Sequence, residues 1–117
     1  MLRRAEEMRK EIGVNLRDGQ GQAQIVHILE SSRDELNGKG KMFAQITLPP
    51  GASVGLHQHV GDSETYYILS GCGLVNDNGT EVAVSAGDVV LTRDGESHSI
   101  ANNGNEDLVF IALILFA

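Results

Sequence analysis

Residues 51–71 read GASVGLHQHVGDSETYYILSG. Within them His57 and His59 are separated by one residue, and Glu64 follows His59 by five positions. A β-strand has a side-chain period of two, so His57 and His59 aim to one face while Gln58 points to the other. Residues 60–63, VGDS, supply a turn, and Glu64 opens the β-rich run ETYYILS. Two imidazoles and a carboxylate brought to one face make a site for a divalent metal ion.

Working outward, residues 87–102 read GDVVLTRDGESHSIAN. Here DVVLT reads as a strand, RDGE as a turn, and His98 lies in the strand that follows. Taken together, the two stretches resemble the cupin superfamily. Its first motif, G-x5-HxH-x4-E-x6-G, is matched by Gly51, His57, His59, Glu64 and Gly71. Its second, G-x5-P-x-G-x2-H-x3-N, is matched by Gly87, Gly95, His98 and Asn102, with Arg93 standing where the family usually has proline. Residues 88–115 further resemble the C-terminal part of small bacterial single-domain cupins of the oxalate-decarboxylase-like kind.

The resemblance implies an all-β fold, the double-stranded β-helix or jelly-roll barrel. It implies His57, His59, Glu64 and His98 as ligands of one divalent transition metal per chain, manganese foremost, with iron, nickel, cobalt or zinc as alternatives. Three neutral imidazoles and one carboxylate leave such an ion with a net charge near +1, and an octahedral sphere keeps two positions open. A small carboxylate such as oxalate could chelate there, for decarboxylase- or oxidoreductase-like turnover. Dioxygenase or sugar (or sugar-phosphate) isomerase chemistry on the same ligands is an alternative, as is a module that binds a metabolite without turnover. Fold alone does not select among these.

The rest of the chain fits one domain over residues 1–117, with residues 1–40 an N-terminal helix or arm and the first strand, and residues 41–117 the barrel that carries both motifs. Residues 2–12 read as a short helix, with Ala5, Met8 and Ile12 on one side and Glu6 four before Lys10. Strands are expected at 23–29, 42–48, 53–59, 64–70, 72–76, 80–84, 88–92, 97–102 and 108–116, and Asn78-Gly79 marks a two-residue hairpin. The last strand, LVFIALILF, is apolar on both faces. One face can fill the barrel; the other predicts a homodimer, with the N-terminal helix helping to cover it.

Charge is unevenly placed. Residues 1–41 hold eight of the nine basic residues, whereas residues 42–117 hold only Arg93 against nine acids. A nucleic-acid surface needs clustered Lys and Arg, so nucleic acid and anionic membrane are poor partners for the motif-bearing part. Its longest apolar run, residues 108–117, is about half of what a membrane-spanning helix needs. The lone Cys72 and an N-terminus without an apolar core segment predict a cytoplasmic protein.

Further candidates are weighed singly. Tyr66 lies two after Glu64 and shares its face, as a substrate-binding or catalytic hydroxyl or as a barrel-filling aromatic. Arg93, the one basic residue after position 41, is a candidate for holding a carboxylate. His27 reads as structural, Glu96 as a solvated turn residue, and Cys72 has no nearby base to activate it.

Overall fold

Nine of the strands expected from the sequence form, and a tenth precedes them. The structure, a computed structural model, describes residues 1–117. In chain order the strands are β1 (Arg9–Val14), β2 (Gln22–Leu29), β3 (Gly40–Leu48), β4 (Ser53–Gln58) and β5 (Asp62–Ser70). They are followed by β6 (Cys72–Asp77), β7 (Thr80–Ser85), β8 (Val89–Thr92), β9 (Ser97–Ala101) and β10 (Leu108–Phe116). Two antiparallel sheets result, one of six strands in the order β1-β2-β3-β10-β5-β8 and one of four in the order β4-β9-β6-β7. This is the jelly-roll architecture, with the inner faces of the sheets packed on each other.

Period-two patterning decides what goes inside. Along β10, Leu108, Phe110 and Ala112 are fully buried, and on β5 Glu64, Tyr66 and Ile68 face the same interior. Ile46, Leu48, Val75 and Ile100 complete the centre of the core. Asn78 and Gly79 join β6 to β7 with φ of 49° and 100°, and Asp77 pairs directly with Thr80. Positive φ at both central residues is what a two-residue hairpin that follows the sheet twist demands.

The N-terminal helix does not form. Its residues make a single 3-10 turn at Ala5–Glu7, and Arg9–Val14 then pair with β2 from Arg9↔His27 to Val14↔Gln22. An isolated eleven-residue helix is marginal in water. The open edge of β2 satisfies the backbone instead, and charged side chains on β1 guard the new edge. The arm therefore widens the six-stranded sheet sideways and does not lie over the outer face of β10.

Candidate metal centre

Three strands and the loop after β4 set the four ligands in place. His57 sits on β4 directly opposite His98 on β9. Between Val54 and His57 the pairing slips by one residue, a bulge at Gly55 and Leu56. Without that extra residue, the odd spacing would turn one of the two outward; with it, Val54 and His57 both face the interior. His59 lies just past the end of β4, held by its own amide donating to the Glu96 carbonyl at 2.9 Å. Glu64 comes from β5, in the other sheet, paired with Thr92 on β8 and Ile114 on β10. The four ligand atoms thus come from both layers of the barrel, and all lie within 4.8 Å of one another.

Their separations test whether an ion fits. His59 Nε2 and His98 Nε2 are 3.0 Å apart, and His98 Nε2 and His57 Nε2 are 3.2 Å apart. Glu64 Oε1 is 3.1 Å from His59 Nε2, 3.0 Å from His98 Nε2 and 4.0 Å from His57 Nε2. With metal–ligand bonds of about 2.1 Å, neighbouring corners of an octahedron stand about 3.0 Å apart and opposite corners about 4.2 Å. Of the six pairs, four match neighbours, Glu64–His57 approaches an opposite pair, and His57–His59 lies within 4.8 Å. The donor set fits a divalent ion.

The other ring nitrogens are already committed. Placing each ring proton on Nδ1 lets His57 donate to the Gly55 carbonyl at 2.8 Å and His59 donate to Asp62 Oδ1 at 2.7 Å. It also lets His98 donate to Thr92 Oγ1 at 2.8 Å. Every Nε2 lone pair then points at the centre, the arrangement that metal-binding histidines require. Sequence reading missed these supports. Asp62 could have been suspected as a carboxylate three positions after His59; Thr92 carries no signal beyond its strand.

Without an ion, the cluster shares protons. Burial pushes the Glu64 carboxyl up, but hydrogen bonds from His59 and His98 outweigh it and hold the group at about 2. His59 is raised, chiefly by its bond to Glu64, whereas burial lowers His57. Tyr66 is fully buried, its ring stacked on His98 at 4.7 Å and 10° and its hydroxyl 3.5 Å from His98 Nε2. Burial drives that hydroxyl well above its ordinary range.

An inner cavity of about 200 Å³ opens on His57, His59, Glu64 and Tyr66. Its remaining wall is apolar, from Leu16, Ile25, Met42, Ile46, Val54 and Ile114, with one exception, Arg17. A wider cleft of about 510 Å³ adjoins it and shares Arg17, Met42, His59 and Ile114. Arg93 is exposed in the turn after β8, lines neither space, and its amide donates to Glu96 Oε1 at 2.8 Å. His27 lies in the cleft wall, paired with Glu11 at 2.6 Å. Cys72 is a free, exposed thiol away from the site. Arg17 was not singled out in the sequence, because nothing in the loop NLRDGQGQ ties it to motifs forty residues later.

Comparison with known proteins places the chain by sequence and by fold. The chain is 48% identical over 115 residues to the oxalate-binding protein of Thermotoga maritima, covering 98% of this chain and 93% of the relative. The crystal structure of a predicted oxalate decarboxylase from the same organism superposes with a TM-score of 0.93 at 46% identity, over the full length of both chains. The polyketide cyclase RemF of Streptomyces resistomycificus shares the fold, with a TM-score of 0.78 at 16% identity over 98% of this chain and 80% of that one. The family model for the cupin domain matches residues 44–114. That span holds all four converging side chains and the strands that aim them, and the chain belongs to the cupin family.

Proposed function

We propose that the protein binds a small dicarboxylate of the oxalate type on a divalent transition ion, manganese foremost, held by His57, His59, Glu64 and His98. The convergence of four ligand atoms within 4.8 Å of one another beside an inner cavity carries this reading. If His57 and Glu64 take opposite corners, the two open positions are neighbours, which suits a ligand that chelates through two oxygens. The similarity to an oxalate-binding protein supports the ligand class. When bound, the ion would supply Lewis-acid polarisation of a carboxylate oxygen.

The test is elemental analysis of the purified protein followed by calorimetric titration with oxalate. One ion per chain and saturable oxalate binding are expected. A loaded protein that ignores oxalate defeats the ligand assignment, and a protein that takes up no ion defeats the site.

Turnover is a second reading, resting on Tyr66. Decarboxylation of oxalate breaks its C–C bond, releases carbon dioxide and needs a proton on the remaining carbon to give formate. Among the residues lining the inner cavity, Tyr66 is the one proton-bearing hydroxyl, and the one carboxylate, Glu64, is a metal ligand. A Tyr66→Phe variant that binds oxalate with formate production abolished would establish this role. Absence of formate from the loaded wild type leaves binding as the function.

We also assign the outer face of β10 to a second copy of the chain. Two cross-strand rows lie there, Phe43–Leu113–Thr65–Leu91 and Gln45–Ile111–Tyr67–Val89. Tyr67, Val89 and Leu91 are exposed at 47%, 63% and 43%. The arm leaves this face uncovered.

A further inference from the structure

The inner cavity has one cation of its own, and the chain goes to some length to place it. Arg17 lies in a 3-10 turn, Leu16–Asp18, with φ 53° and ψ 40°, and Asn15 and Asp18 beside it also have positive φ. Three non-glycine residues in the left-handed region are costly, so the surroundings must hold them there. The Asn15 side chain accepts from the Gly21 amide at 3.0 Å, and the Asn15 amide donates to the Gly21 carbonyl at 2.9 Å. The turn then presses onto the bulge of β4. A Cβ on Gly55 would stand 2.0 Å from the Arg17 carbonyl oxygen, and one on Gly19 would stand 2.4 Å from that of Ser53. Both contacts are possible only for glycine.

Arg17 is also the cation left over. Of the other basic groups lining the cleft, Arg9 is bound to Glu30 at 2.6 Å, Lys41 faces Asp62 at 3.7 Å and His27 is bound to Glu11. Arg17 has no carboxylate partner. It lines both the inner cavity and the cleft, as do Met42, His59 and Ile114.

Charge balance gives this placement a purpose. A divalent ion with three neutral imidazoles and Glu64 carries about +1, so a bound dianion would leave about −1 in an apolar cavity. The exposed guanidinium of Arg17, which has no ion-pair partner, can cancel it. Resting on the dicarboxylate reading above, we infer that Arg17 is the second anchor of the ligand, binding the carboxylate oxygens that point away from the metal while one oxygen of each carboxylate lies on it. The site would thereby prefer dianions over monoanions of the same shape.

The experiment compares oxalate with glycolate on manganese-loaded protein by calorimetry. Glycolate offers a carboxylate and a hydroxyl to the same two positions with one negative charge fewer. The variants are Arg17→Asn, whose side chain tolerates the left-handed backbone, and Arg17→Lys, which keeps the charge. Both should retain one manganese per chain by elemental analysis. Arg17→Asn should weaken oxalate binding about tenfold or more and glycolate binding less than about threefold, with Arg17→Lys in between. Should Arg17→Asn lower the melting temperature, Arg17→Gln repeats the comparison at nearly full side-chain length. Unchanged oxalate affinity, or equal losses for both acids, would overturn the assignment while the metal-dependent ligand reading stands. Wild type that holds manganese yet binds neither acid overturns both together.

Discussion

At the scale of single residues, the candidate metal centre is defined as much by what fixes its histidines as by the histidines. His59 is held between Asp62 on one ring nitrogen and the ligand cluster on the other. Replacing His59 with Ala should abolish stoichiometric loading, whereas Asp62→Asn should weaken metal affinity about 10–100-fold while keeping the fold. Competition with a chelator of known affinity measures both, and full-affinity loading of His59→Ala would break the ligand assignment. Protons compete with the ion for His59, whose pKa is raised by its bond to Glu64. A raised histidine takes its proton at a higher pH than its ordinary value of about 6.5. Loading should therefore weaken as pH falls through the neutral range, starting above about 6.5 and not below it. Glu64, held at about 2, should stay ionised throughout that window. Equilibrium dialysis at graded pH would show it, and flat loading from pH 8 to 5 would contradict it.

At the scale of elements, the bulge of β4 and the turn at Leu16–Asp18 form one unit. A Gly55→Ala change puts a methyl into the Arg17 carbonyl, which must shift. We expect a loss of about 1–3 kcal/mol, as for other overpacked sites, seen as a lower melting temperature in circular dichroism. Oxalate affinity should fall with it, through displaced Arg17; unchanged melting and binding would mean that the turn is free to move. Most of this scaffold could be read from the sequence. Nine strands and the Asn78-Gly79 hairpin follow from period-two patterning and turn residues, and the resemblance to the cupin motifs points to His57, His59, Glu64 and His98, which the fold brings together. The first element could not be read, because Ala5, Met8 and Ile12 keep a helical spacing while the deciding partner, the edge of β2, is a feature of tertiary structure. Arg17 was hidden for the same reason: its neighbours are Ser53 and Gly55 in space, not in sequence.

For the whole molecule, the acidic balance and the apolar outer face make different demands. A net charge of −7 favours solubility, while the two cross-strand rows beside β10 favour burial. Light scattering at micromolar concentration should give twice the 12.5 kDa chain mass, and Tyr67→Glu should return it to one. A monomer in the wild type would remove the second copy from the account. No helix is long and apolar enough to cross a membrane.

The origin of the four ligands in both sheets has a mechanical side. An ion bound to His57 and His98 from one layer and Glu64 from the other would act as a rivet through the barrel wall. Cys72 has no second thiol with which to form a covalent staple, so the ion would be the one coordinate link between the layers. Without it, that end of the barrel would be freer to breathe. Amide hydrogens around β4 and β9 should then exchange faster with deuterium in chelator than in excess metal, while those in the centre of β3 and β10 hardly change. Breathing of this kind would couple the opening of the site to the loss of its metal, so that a ligand chelated there also locks the two layers together.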